Sequence, residues 1–266
     1  MGTSQSSSGA PSGVPMVPPW VPPLPPPVDA MTPQPPSPPV PIALAGRFSG
    51  ARRSLGGFAS TGDATSMRRG VGHYIKSGYG GSATASRRFG GTATTAGSLY
   101  GALSGGSAAA GRGPTDPLDP TRLAGRSAEE VIDAVIEAVR PIDGTQDAEA
   151  GRASIRDALS ELLSRFPDAD LLSLSEDQRA FAIERFVAMD VYRRLDLDLG
   201  RTIRDKAPSA VTAQSRLKQI KSYVKETVAA SFRKLRDAGH TMTTSRVGSI
   251  VRSALTDAFQ VFESYA

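Results

Sequence analysis

The sequence predicts a mainly α fold: a C-terminal bundle of about five helices preceded by a long, disordered N-terminal tail rich in proline, glycine and serine. Three observations carry this. Composition breaks near Thr115, with 16 prolines and 21 glycines before it against 5 and 6 after. Charge breaks at the same place, with 9 basic and 2 acidic residues before it and 22 and 24 after, so the two parts carry +7 and −2 of the net +5. Beyond Pro120 the apolar residues recur every three or four positions, the period of a helix with one buried face. The expected organisation is a leader and proline-rich segment over 1–45, a glycine, arginine and aromatic segment over 46–113, and an α-helical domain over 114–266.

Residues 1–13 offer almost nothing to bury. From Val14 to Pro41 proline is so frequent that the chain is expected to sample extended polyproline II, because proline fixes φ, lacks a donor and turns the preceding residue away from helix. Such a run serves as a spacer or as a recognition segment. Trp20, the one tryptophan of the chain, sits here with Val17 and Leu24, and these apolar side chains favour docking to a grooved partner. Gly2 follows Met1, so removal of the initiator methionine leaves a free glycine amine. Met1 to Ser6 also fits the myristoylation pattern, but that pattern is short and a single acyl chain anchors weakly.

Between Gly46 and Gly106 the pairs Arg52-Arg53, Arg68-Arg69 and Arg87-Arg88 alternate with Phe48, Phe58, Tyr74, Tyr79, Phe89 and Tyr100. Phe48, Arg52, Leu55 and Phe58 lie at helical spacing, as do Met67, Val71, Tyr74 and Ile75. The interspersed glycines weaken helices, so this segment is expected to fold on docking, with Phe48, Tyr74 and Phe89 as anchors. The residues leave open whether the docking surface is this chain's own bundle or a partner. The alternative reading is nucleic-acid binding, with Arg52, Arg53, Arg68, Arg69, Arg87 and Arg88 neutralising phosphate while rings stack on bases. Neither Gly70-Val71-Gly72 nor Gly78-Tyr79-Gly80-Gly81 completes a phosphate-binding loop.

In the last part, Ser127 and Glu130 form a capping box ahead of Val131, Ile132, Val135, Ile136 and Val139, and Pro141 closes that helix. Ile155, Ala158, Leu159, Leu162 and Phe166 make a second helix that stops before Pro167. Ser175 with Gln178 opens a third, containing Phe181, Ile183, Phe186, Val187 and Tyr192. The alternation Leu195 to Gly200 reads as a break or a continuation of that helix, and it fails as a calcium loop because the distal glutamate is missing. A fourth helix after Ser209 carries Leu217, Ile220, Val224, Val228, Phe232 and Leu235 and ends at Gly239. Thr243 or Thr244 is expected to cap the fifth, whose apolar face runs from Val247 to Phe262. Lys218, Lys221 and Lys225 form a stripe on the fourth helix, which reads first as a solvated face.

Several classes fall away. Without cysteine there is no disulfide framework and no thiol chemistry. Two histidines, His73 and His240, lie far apart with no ligand-spaced partner, so no metal site is expected. No nucleophile elbow or other catalytic motif occurs, so a protein that is not an enzyme, with no cofactor, is the favoured reading. No apolar run is long enough for a membrane helix, which fits a cytoplasmic protein.

The order of segments carries a resemblance. Met1-Gly2-Thr3-Ser4, Val14-Pro15-Met16-Val17-Pro18-Pro19-Trp20 and Gly46-Arg47-Phe48-Ser49-Gly50-Ala51-Arg52 are followed by Gly72-His73-Tyr74-Ile75, Gly78-Tyr79-Gly80-Gly81 and Arg87-Arg88-Phe89-Gly90-Gly91. Over residues 1 to about 106 this resembles the QatB family, a component of bacterial Qat antiphage (antiviral) defence systems. The resemblance implies a subunit acting beside an ATPase, a QueC-like enzyme and a TatD-like nuclease. QueC-like enzymes handle deazaguanine chemistry, and relatives in defence systems are associated with modifying a protein N-terminal glycine. On that implication Gly2 is the acceptor, or a glycine exposed by cleavage such as Gly9 or Gly13, while Trp20 and the prolines dock.

Overall fold

A computed structural model describes residues 12–19, 21–22, 39–104 and 118–266. The expected Gly2 acceptor, Gly9, Trp20, Leu24, the prolines from Pro23 to Pro38 and the Pro114–Pro117 turn lie outside the described residues. Four helices precede residue 104: α1 Ser49–Thr61, α2 Ala64–His73, α3 Ser82–Arg88 and α4 Gly90–Ala102, with a π-helical turn Tyr74–Gly78 after α2. A single turn, Pro120–Leu123, leads into α5 Ala128–Val139, α6 Gln146–Arg165, α7 Glu176–Lys206, α8 Ala210–Asp237 and α9 Val247–Glu263. Among the described residues the only β pairing is an isolated antiparallel bridge, Pro15 with Ile42.

The five C-terminal helices form where their local signals lie. Both capping boxes are made, Ser127 with Glu130 at α5 and Ser175 with Gln178 at α7. At Gly239, with φ +84, the N–H of His240 bonds back to Leu235 and closes α8 in a left-handed stop. Two details differ from expectation. Helix α6 begins at Gln146 under a Thr145 cap, well before Ile155, because Ala148, Ala150 and Gly151 are small enough to bury there. Neither Thr243 nor Thr244 caps α9 with its side chain; the Thr243 carbonyl instead receives the Arg246 and Val247 N–H groups.

Helix α7 is continuous through the Leu-Asp alternation. Leu195, Leu199 and Ile203, four residues apart, are all fully buried, so the helical period outweighs the short period of two. Arg204 donates to both carboxylate oxygens of Asp196 at 2.9 Å. This pair passes over Gly200, where a Cβ would stand 1.8 Å from the Asp196 oxygen.

The glycine-rich segment folds against this chain's own bundle. Helix α1 packs on α2, α7 and α8, and α9 packs on α2, α3 and α4. One continuous core runs from Phe48 to Phe262. Each helical glycine costs about 1 kcal/mol relative to alanine, and the packing shows what offsets it. A Cβ on Gly70 would lie 2.6 Å from Leu55 Cγ, one on Gly78 2.4 Å from the Phe48 ring, and one on Gly72 2.7 Å from the Phe262 carbonyl. The glycines thus let these elements approach to backbone contact. At the start of α3, which has no capping side chain of its own, Glu263 of α9 accepts the Ser82 N–H at 2.9 Å. That carboxylate also complements the helix dipole.

A fragment of residues 118–266 tests whether the C-terminal helices fold alone. Stripped of α1–α4, it uncovers the faces of α7 and α9 that pack on them, Phe259 against Phe89 among them. We expect it to bind a hydrophobic dye and unfold without a sharp transition, whereas residues 12–266 melt cooperatively; a cooperative melt of the fragment would establish an independent domain over 114–266.

Candidate functional site

The leader enters the described structure at Ser12 and is fixed at once. The Gly13 N–H donates to the Ala43 carbonyl at 2.9 Å, Ala43 N–H to Val14 at 2.8 Å and Met16 N–H to Pro41 at 2.9 Å. Pro15 stands opposite Ile42, where the bonds on either side of the pair leave no donor required of it. Met16 is buried against the Gly80 turn, where a Cβ would lie 2.8 Å from its sulfur. Farther on, a Cβ at Gly90 would lie 2.5 Å from the Pro22 carbonyl oxygen and 3.4 Å from Val21. Beside this ribbon Val14, Ile42 and Leu44 are exposed apolar residues.

The Gly80 turn is tied inward by its neighbour. Tyr79 and Tyr74, both buried, donate their hydroxyls to Asp198 Oδ2 on α7 at 3.1 and 2.8 Å. Burial raises the Asp198 carboxyl above its ordinary value, and the two phenols only partly oppose this. The same burial, with Asp198 adjacent, pushes both tyrosines up. The rings of Phe48, Tyr74, Tyr79, Phe89 and Phe259 follow one another at centroid separations between 5.0 and 6.0 Å.

One turn earlier on α7, Arg194 bonds Asp190 at 3.2 Å and Asp147 at 3.3 Å and lies over the Phe89 ring. Burial disfavours its charge, but the Asp190 and Asp147 carboxylates outweigh that and keep the guanidinium firmly protonated. Thr92 of α4 donates to the buried Asp190 at 2.5 Å, and Arg88 reaches Asp147 at 3.4 Å. The result is a polar seam between α7 and the glycine-rich helices.

The docking and nucleic-acid residues expected from sequence are placed as follows. Phe48, Tyr74 and Phe89 are internal, at 3%, 1% and 0% exposure, so they anchor on this chain's own helices and present nothing to a partner. Val17 is half-buried in the leader stem. Arg53, Arg68 and Arg69 are exposed, Arg52 and Arg87 half-buried, Arg68 stacks on Tyr265, and Arg88 belongs to the seam. The interleaved rings Phe58, Tyr79 and Tyr100 are buried too, so the segment offers no stacking platform among the described residues. In the lysine stripe, Lys225 pairs with Glu161 at 2.8 Å and Lys221 with Asp157 at 3.5 Å. A groove of about 930 Å³ between α6, α7 and α8 is lined by charges of both signs, including Glu161, Glu184, Arg185 and Arg233. None of the expected docking or nucleic-acid residues lines it.

Among the described residues no cluster of histidine and acidic side chains could hold a metal ion, and no helix is long and apolar enough to cross a membrane. Sequence reasoning missed the row Asp190, Arg194 and Asp198. The available signal was three charges at four-residue intervals, alternating in sign, on a helix that also carries many other charged residues, so the row did not stand out.

Comparison with known proteins gives one positive result. The model of a family described as Qat anti-phage system associated protein QatB matches residues 80–262. No curated protein and no solved structure is matched. The match begins within the Gly78 to Gly81 segment that contributed to the resemblance and includes Arg87 to Gly91. The earlier segments lie upstream of it.

The seam, most of it inside the matched region, gives two tests. Because Asp198 carries a raised carboxyl value in the folded state, its contribution is complete below the unfolded value of about 4 and is lost as pH climbs through the raised one. We expect D198N to melt at or above the wild-type temperature at pH 7, with the difference shrinking as pH falls through the raised value of Asp198 and levelling off below about 4. D198A leaves two tyrosine hydroxyls without their acceptor and should cost about 1–3 kcal/mol. Separately, R194M strands the buried Asp190 and should cost about 3–5 kcal/mol by denaturant titration, partly recovered in D190N/R194M. Equal losses in the single and double variants would remove the pairing argument.

Proposed function

The chain belongs to the QatB family, and from that membership we propose that it is a non-enzymatic subunit of a bacterial antiphage defence system whose N-terminal leader is the substrate or docking peptide of a QueC-like modifying enzyme. The observation that carries this reading is the leader's geometry. Residues 13–16 are bonded to 41–43, while Ser12 and Gly13 are exposed, so the described leader begins at a fixed, accessible point on the body. An amine that must enter another protein's active site needs a fixed, accessible point of attachment on a body that brings it to the enzyme.

The remaining roles follow from the same reading. With the aromatic anchors and most seam arginines used internally, the helical body acts as a scaffold. Its outer surface meets the other proteins of the system, the ATPase and the TatD-like nuclease, in the cytoplasm. No cofactor or metal is required for this role, and Gly2 is the acceptor proposed.

Intact mass and N-terminal peptide mapping of the full-length protein, co-expressed with its QueC-like partner, test the reading. We expect an adduct on Gly2 that disappears in Gly2→Pro, which keeps methionine removal but replaces the primary amine with a secondary one. An unmodified N-terminus under those conditions overturns the substrate role.

A further inference from the structure

We propose that Gly80 and Gly90 form a seat for this chain's own residues 13–19 and 21–22, which makes this stretch a fixed stem and the residues before it the head that carries the acceptor amine; the last step rests on the substrate reading above.

The seat is built from two contacts that side chains would block. Gly90 opens α4, and a Cβ there would meet the Pro22 carbonyl oxygen at 2.5 Å. That neighbour is backbone and cannot rotate aside. Gly91, the next residue, has nothing within 4 Å of its Cβ position. Of this glycine pair only the first is demanded by the leader. Gly80 lies at φ +74 and receives the Met16 sulfur, so its identity serves both its own turn and the stem. Between these contacts and the three backbone bonds to 41–43, the stem is held at both of its ends.

Gly13 is thereby separated from the other candidate acceptors. Its nitrogen already donates to Ala43 at 2.9 Å, and its φ of +75 belongs to the left-handed region that glycine favours. A cleavage before Gly13 would leave an ammonium still facing that carbonyl on a stem held to the body, with no tether to carry it into another protein's active site. Gly2 and Gly9 lie on the head. At about 3.3–3.6 Å per residue, the head carries Gly2 no farther than about 40 Å from the stem, which bounds where the partner's reactive centre must dock.

Hydrogen exchange followed by mass spectrometry on the full-length protein tests the seat without any partner. Peptides covering 13–22 and 39–44 should exchange slowly in the wild type and at least about tenfold faster in both Gly90→Ala and Met16→Ser. The second variant acts from the leader's side and leaves the body's glycines untouched. Gly91→Ala should match the wild type, and peptides of α7 should be unchanged throughout, showing that the body stays folded. Wild-type stem amides exchanging at unfolded-chain rates, or Gly90→Ala behaving as Gly91→Ala does, overturns the seat. In the co-expressed protein, an adduct mapped to Gly13 overturns the upstream assignment. Absence of any adduct overturns the substrate reading while leaving the exchange result standing.

Discussion

Asp190 and Arg194 face inward from the middle of α7, and this constrains the whole fold. A buried carboxylate stripped of its partners costs several kcal/mol, so α7 is satisfied only where other elements supply those partners. Asp147 of α6 supplies one. Thr92 completes Asp190, and Tyr74 and Tyr79 complete Asp198 a turn farther on. All three come from the glycine-rich segment. The C-terminal helices therefore contain, on their central member, a row of polar groups that is complete only when α4 and the π-helical turn are in place.

That requirement also accounts for the glycines. Bringing the Tyr74–Gly78 turn close enough to α7 for hydroxyl contact requires Phe48 to pass directly over Gly78, and Leu55 over Gly70. Alanine at either position would improve local helix propensity and push α1 outward. Propensity is lost residue by residue and regained through the shared core, a trade in which tertiary packing dominates. The charge asymmetry follows the same logic. Arg88 of the basic segment pairs with Asp147 of the other segment, Arg47 lies over Phe48 and Arg68 over Tyr265.

The C-terminal helices were legible in sequence because their signals are local. Ser127 with Glu130, Ser175 with Gln178, Pro141 and Gly239 act within a turn of the boundaries they set. The apolar spacing of Phe48, Leu55 and Phe58, and of Met67, Val71, Tyr74 and Ile75, was legible as well, and all of these are buried. Their destination was not, since a buried face carries no record of what covers it. The interleaving of arginine and aromatic residues pointed outward to nucleic acid or a partner, while the rings point inward and leave Arg53, Arg68 and Arg69 exposed, because core packing uses the same aromatic residues as base stacking. The seat of the leader left almost no trace in sequence. Gly90 and Gly91 are adjacent and identical in type, and only their surroundings show that one faces a carbonyl and the other open space.

Fixing the stem changes what the rest of the leader can do. A tether attached at residue 46 would let an acceptor amine sample a far larger volume than one attached at Ser12, and the shorter tether gives the higher effective concentration at a partner docked nearby. Two fixed ends, at Pro22 and Pro41, also make the proline-dense stretch between them a closed connection. Lengthening such a connection adds little entropy cost, since the penalty grows only with the logarithm of its length. Lengthening the head, by contrast, changes the distance over which the amine is delivered. The two halves of the leader thus carry different constraints, with reach confined to the residues before Gly13 and adhesion to those between Gly13 and Pro22.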